Sequence, residues 1–219
     1  LLCGHAWRLH YIDKVQTPTA PALLIGSAWH DAVEQHLRSG ADLGAAWSTA
    51  WGTQLERNPE IAWGDDTPTM CAETGERMTA AKPVKDMLAE IRANFDPEHG
   101  DLERRVELRV PGVPVPVIGY IDVITRDGVP GDFKTAARMW SDGKAEDDLQ
   151  SLFYLAALNQ AGDPTPRWTF RHYVVTKAAK PTAKVFEVEH TPGQMFWLFE
   201  MIQSVWQAID AEVYLKNPS

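Results

Sequence analysis

Asp122, Asp132 and Lys134 stand within the segment GYIDVITRDGVPGDFKT, residues 119–135. Two carboxylates and an ammonium group there interrupt residues that otherwise suit a half-buried hairpin. Carboxylates at short range raise each other's proton affinity unless a cation lies between them. Lys134 could be that cation and form a structural ion-pair cluster. A divalent ion could serve instead, taking oxygens from one or two carboxylates and completing its shell with water and substrate phosphate. Lys134 would then be free to orient a water and to offset charge developing in phosphoryl transfer. Asp-x-Lys alone is a weak pattern, so the choice needs other residues.

The hairpin that must position these groups has two candidate registers. Val117–Ile124 is rich in β-branched and aromatic residues, and Arg126-Asp127-Gly128 is a turn signal. A three-residue loop pairs Thr125 with Val129 and sets Asp122 opposite Asp132, with Lys134 on the same face. A two-residue Asp127-Gly128 loop shifts the register by one and parts the acids onto opposite faces. Pro130 warns of irregular pairing.

Elsewhere the chain reads as helices, then strands, then a helix, two strands and a last helix. GSAWHDAVEQHLRSG predicts a helix with Ser27 as N-cap and Gly40 past its end. Trp29, Ala32, Val33 and Leu37 form its apolar face, and His30 and Glu34 lie one turn apart on another. A second helix runs through Trp47 and Trp51, residues 58–69 read as loop, and a further helical stretch reaches about Phe95 with Pro83 starting or kinking it. RRVELRV alternates as a strand burying Val106, Leu108 and Val110. EDDLQSLFYLAALNQ is helical, RWTFRHYVVTK and AKVFEVEH are strands, and Thr191 to Gln194 is a capping box. The expectation is one domain over 1–219, with a helical part of about 1–100 and a catalytic sheet with helices over about 101–219.

The chain has 219 residues, 44% of them hydrophobic, enough for a sizeable core. No apolar run approaches transmembrane length and the opening residues carry no signal-peptide pattern, so no membrane role is expected. Two cysteines, Cys3 and Cys71, make no disulfide framework and point to a reducing, cytoplasmic setting. The net charge of −9 argues against nonspecific coating of nucleic acid. It leaves room for a nuclease, whose own site is acidic.

Gly26 and His30 in GSAWH, Gly119 and Asp122 in GYID, Asp132 and Lys134 in DFK, and Gln150 and Tyr154 in QSLFY form an ordered set. In this order the set resembles the PD-(D/E)XK nuclease superfamily, and within it the RecB-like exonuclease branch with its CRISPR-associated and phage relatives. The likeness spans about residues 3–160. Ile121 replaces the proline of the superfamily's name, and the upstream acid is either Glu107 or Glu103. The resemblance implies an α/β fold, a restriction-endonuclease-like core with a central mixed sheet flanked by helices. It implies that Asp122, Asp132, His30 and the backbone carbonyl of Phe133 bind Mg²⁺ or Mn²⁺. Lys134 would position the attacking water, and Gln150 and Tyr154 would contact DNA or steady the lysine. Some relatives hold an iron–sulfur cluster with one early and three late cysteines. Cys3 suits the first position, but no cysteine follows Cys71, so no cluster is expected in this chain.

Arg167, Arg171 and Lys177 belong to a basic run that extends to Lys184 with no acid, Asp163 lying just before it. They are candidates for a phosphate-tracking ridge, on equal terms with a solvated hairpin. The favoured function is a metal-dependent DNA exonuclease of recombination, repair or phage replication in a bacterial or phage-infected cell. It would act on DNA ends or single strands, with a recombination or replication protein as a possible partner. A structure- or strand-selective endonuclease, such as one trimming DNA ends in CRISPR adaptation, is the alternative enzyme. An inactive nuclease-fold module that binds DNA ends is the non-enzymatic one.

Overall fold

The computed structural model describes residues 3–96, 101–162 and 167–216; Asp163 lies outside them. Five helices come first: α1 (Gly4–Tyr11), α2 (Pro21–Ser39), α3 (Leu43–Arg57), α4 (Pro68–Ala80) and α5 (Lys82–Ala93). Strands β1 (Asp101–Leu108), β2 (Val117–Ile124) and β3 (Pro130–Ala136) follow, then helices α6 (Asp142–Glu146) and α7 (Leu149–Gln160). Strands β4 (Thr169–Thr176) and β5 (Ala183–Glu189) and helix α8 (Pro192–Asp210) complete the order. The strands form one sheet in the order β1-β2-β3-β4-β5, antiparallel except for the parallel β3–β4 pair. This is the expected mixed sheet flanked by helices.

Each face of the sheet has its own core. One face packs on α2 to α5 through Val123, Phe133, Tyr173 and Val175, against Trp29, Trp47 and Met78. The other packs on α7 and α8 through Val106, Leu108, Ile121, Phe170 and Val174, against Leu155, Leu158 and Leu198. Helix α2 buries Trp29, Ala32, Val33 and Leu37 and leaves His30 and Glu34 half-buried, as its periodicity requires. It starts six residues before Ser27, because Pro21 presets the first helical turn and the apolar residues after it continue the buried stripe. Ser27 is therefore interior, not a cap. Gly40 ends the helix with φ of 74°, a left-handed conformation suited to glycine.

The predicted helical run to Phe95 breaks at Ala81, where Pro83 lies in the first turn of α5. EDDLQSLFYLAALNQ also divides: the Asp148 side chain accepts the Gln150 amide and opens α7 as a separate helix. Gly119 is where α7 presses hardest on β2. A Cβ there would lie 2.5 Å from Phe153 and 2.8 Å from Tyr154.

Candidate active site

The β2–β3 loop is Arg126 to Gly128, with the Thr125 amide donating to the Val129 carbonyl and Gly128 at φ of 81°. Pairing then runs through Ile124↔Pro130 and Val123↔Gly131 and stops there. One residue further, Asp122 and Asp132 would be cross-strand neighbours, but the strands part. The Asp122 Oδ2 instead accepts the amide of Phe133 at 2.6 Å. The register is thus that of the three-residue loop, yet the acids sit in an open fork and not in a ladder.

The neighbouring strand is irregular at the same level. On β1, Leu102 pairs with Val123 and Arg104 with Ile121, while Glu103, level with Asp122, is left out of the pairing. Glu103 has φ of 53°, a left-handed conformation uncommon for a residue with a side chain. The strand turns over at this point. Leu102 and Val123 pack toward α2, whereas Val106 and Ile121 pack toward α7, although alternation would put all four on one face.

This distortion brings groups from both layers to one place. The Nδ1 of His30 lies 3.4 Å from the Asp122 Oδ2. Ligand atoms of His30, Glu103 and Asp122 all lie within 4.8 Å of one another. From β3, the Lys134 Nζ approaches the Asp132 Oδ2 at 2.7 Å. The Lys134 ammonium is the cation at this buried oxygen. Lys134 also donates to the Gln150 Oε1. The Gln150 Nε2 in turn donates to the Tyr154 hydroxyl at 2.8 Å, one turn along α7.

The charges are unevenly satisfied. Asp132 is 1% exposed, and burial together with the Asp122 charge pushes its carboxyl up to about 7, against the pull of Lys134. Glu103, though its side chain is exposed, is raised by partial desolvation, with Asp122 and Glu34 adding repulsion. Burial lowers His30, but its hydrogen bond and charge interaction with Asp122 outweigh that and hold the imidazole above its ordinary value. Burial raises the Tyr154 phenol, which stays protonated. A surplus of crowded carboxylate beside one imidazole and one ammonium group fits a hard divalent cation. A cleft of about 720 Å³ opens onto the cluster, lined among others by Gly26, Ser27, Glu34, Thr135 and Lys177. Gly26 leaves room there: a Cβ would meet only the Thr135 hydroxyl, at 3.7 Å.

Of the residues singled out in the sequence, His30, Asp122, Asp132, Phe133, Lys134, Gln150 and Tyr154 converge on the fork. Glu107 does not. Paired opposite Ile118, it is bound by Arg105 at 2.6 Å and Arg109 at 3.4 Å. Of the two candidate upstream acids, Glu103 is the one beside Asp122. Arg167, Arg171 and Lys177 do not form one ridge. Arg167 donates to the Gly128 carbonyl at the hairpin tip, and Arg171 is gripped by Asp127 at 2.7 Å and Glu187 at 2.9 Å. Lys177 alone lines the cleft. No helix among the described residues is long and apolar enough to cross a membrane.

A family model described as the PD-(D/E)XK nuclease superfamily matches residues 1–219. The chain belongs to that superfamily. A Eubacterium rectale protein named provisionally as an exonuclease shares the fold, with a TM-score of 0.64 at 12% identity over 98% of this chain and 77% of its own. SSO0001, at 12% identity over 92% of this chain and 83% of its own, has a TM-score of 0.33. Comparison with curated proteins gives no match. Superfamily membership brings the expectation of divalent metal and a nucleic-acid substrate, and the fork is where this chain gathers a candidate set of metal ligands.

Proposed function

We propose that this protein is a divalent-metal-dependent deoxyribonuclease that hydrolyses phosphodiester bonds from DNA ends in a reducing cytoplasm, serving recombination, repair or phage DNA metabolism. The observation that carries the reading is the fork, where His30, Glu103 and Asp122 converge beside the Asp132–Lys134 pair. These residues would hold magnesium or manganese, with Asp132 and the Phe133 carbonyl as further oxygens. A metal bound there would polarise the phosphoryl oxygen and make a coordinated water more acidic. The imidazole suits manganese at least as well as magnesium.

Lys134 does the protein's own share of the chemistry. Anchored by Gln150, which Tyr154 holds in turn, its ammonium is set to orient a water and to stabilise negative charge gathering on the phosphate. Preorganisation matters here because a flexible ammonium would have to be ordered during the reaction. Lys177, which lines the cleft, would meet a neighbouring phosphate of the strand. Action from ends is the reading suggested by the name of the Eubacterium rectale relative and by the RecB-like motif set. Linear and covalently closed circular DNA, incubated with magnesium or manganese, test it. Loss of linear DNA with the circle intact is the expected result. A cut circle would make the protein an endonuclease, and inertness toward both would make it a binding module.

A further inference from the structure

Lys134 lines two cavities, and Gln150 joins it in the second. One is the cleft described above. The other, about 790 Å³, opens beside α6 and is walled by Trp140, Ser141, Lys144, Asp147 and Asp148 among others. A diester phosphate at Lys134 continues into a nucleoside on each side, so a chain lying in the cleft has somewhere to go. We infer that the α6-side cavity is a nucleotide subsite: the base adjoining the scissile phosphate stacks on Trp140, and the next phosphate binds Lys144. This inference rests on the nuclease reading.

Three features support it. First, the Trp140 ring leans on the buried His172 ring, with centroids 5.4 Å apart at 52°, which fixes the indole while leaving it only half-buried. Second, the Lys144 ammonium lies over that ring, 4.7 Å from its centroid, so an exposed and flexible side chain, not the core, covers that part of the indole. A cation–π contact at an exposed site is weak enough to give way to a base. Third, Lys144 pairs with no carboxylate among the described residues, whereas Arg38, Lys82, Arg104, Arg171 and Lys184 all do. Asp147 and Asp148 repel phosphate from their own part of the wall, so a phosphate is drawn to Lys134 and Lys144, the cavity's two cations. Stacking on a protein ring requires a base released from its duplex neighbours, so the substrate here is a single strand or a frayed end.

The test uses the full chain, a short oligothymidylate and bis(p-nitrophenyl) phosphate, a diester with no following nucleotide. Trp140→Ala should weaken oligothymidylate binding by anisotropy, and raise its KM for cleavage, about tenfold. Trp140→Phe should recover most of the loss. Lys144→Ala, at an exposed position safe for folding, should lower the salt slope of binding by about 0.7, one phosphate contact on a single strand. Both alanine variants should lose far more on the oligonucleotide than on the small diester. Wild-type binding by both, or equal losses on the two substrates, would overturn the subsite. If the wild type cleaves neither substrate the nuclease reading fails, and anisotropy still decides whether Trp140 and Lys144 hold the strand.

Discussion

Two charge clusters lie on the same hairpin, one at its tip and one at its open end, and their surroundings act on carboxylates in opposite ways. At the tip, Asp127 is partly desolvated, but it accepts the Thr125 hydroxyl, Arg171 and the Val129 amide, which together bring its carboxyl below the ordinary range. At the fork, Asp132 is pushed above it by burial and the Asp122 charge, and Glu103 by partial desolvation and the charges of Asp122 and Glu34. The tip is a finished structural cluster whose donors suffice. The fork has more negative charge than its donors can satisfy, and folding alone gives no reason to gather it. Such a deficit is the mark of a site completed by something that binds.

The largest effect that separates the two clusters is on turnover. Lys134→Ala and Asp132→Ala should each lower DNA cleavage by about a thousandfold or more, measured as initial rates with manganese. Arg171→Ala should leave the rate near wild type. Asp132→Asn sharpens the contrast: it should abolish cleavage yet raise the melting temperature of the metal-free protein, by roughly 2–4 °C, the shift that about 1 kcal/mol produces in a chain of this size. A fall in melting temperature would mean that the Asp132–Lys134 pair stabilises the fold, as the tip cluster does.

A smaller effect distinguishes the two acids of β1. Glu103→Gln, and likewise His30→Ala, should raise the manganese concentration for half-maximal cleavage about tenfold or more, whereas Glu107→Gln should not move it. Superimposable metal titrations for His30→Ala and wild type would remove the imidazole from the site.

The smallest effect concerns the tip. Asp127→Ala should cost about 1 kcal/mol of stability, given the exposure of its ion pair, and leave cleavage intact. Because the folded-state pKa of Asp127 is depressed, its contribution is present above the unfolded-state value of about 3.9 and disappears as pH falls below it. Denaturant midpoints for wild type and Asp127→Ala should therefore converge at acid pH and differ at neutral pH.

Much of the fork was legible in the sequence because its parts are set by short-range rules. Asp132 and Lys134 share a strand face by alternation, Gln150 and Tyr154 share a helix face by the turn, and Arg126-Asp127-Gly128 closes the hairpin in one of the two registers considered. What could not be read depends on departures from those rules. Choosing Glu103 over Glu107 needs the left-handed backbone at Glu103, and no glycine or asparagine marks that position. The basic run looked like one ridge because its members are close in sequence. Arg171 in fact faces acids brought from Asp127 and Glu187, two other segments of the sheet, and only the fold makes them neighbours.

The central claim is that the fork lacks positive charge which a divalent ion supplies. Thermal unfolding with and without manganese tests it most directly, using wild type, Asp122→Asn and Arg171→Ala. Saturating manganese should raise the melting temperature of wild type and Arg171→Ala alike, by roughly 5 °C or more, and should leave Asp122→Asn almost unmoved. A wild-type melting temperature indifferent to manganese and magnesium, or an equal rise in Asp122→Asn, would contradict it.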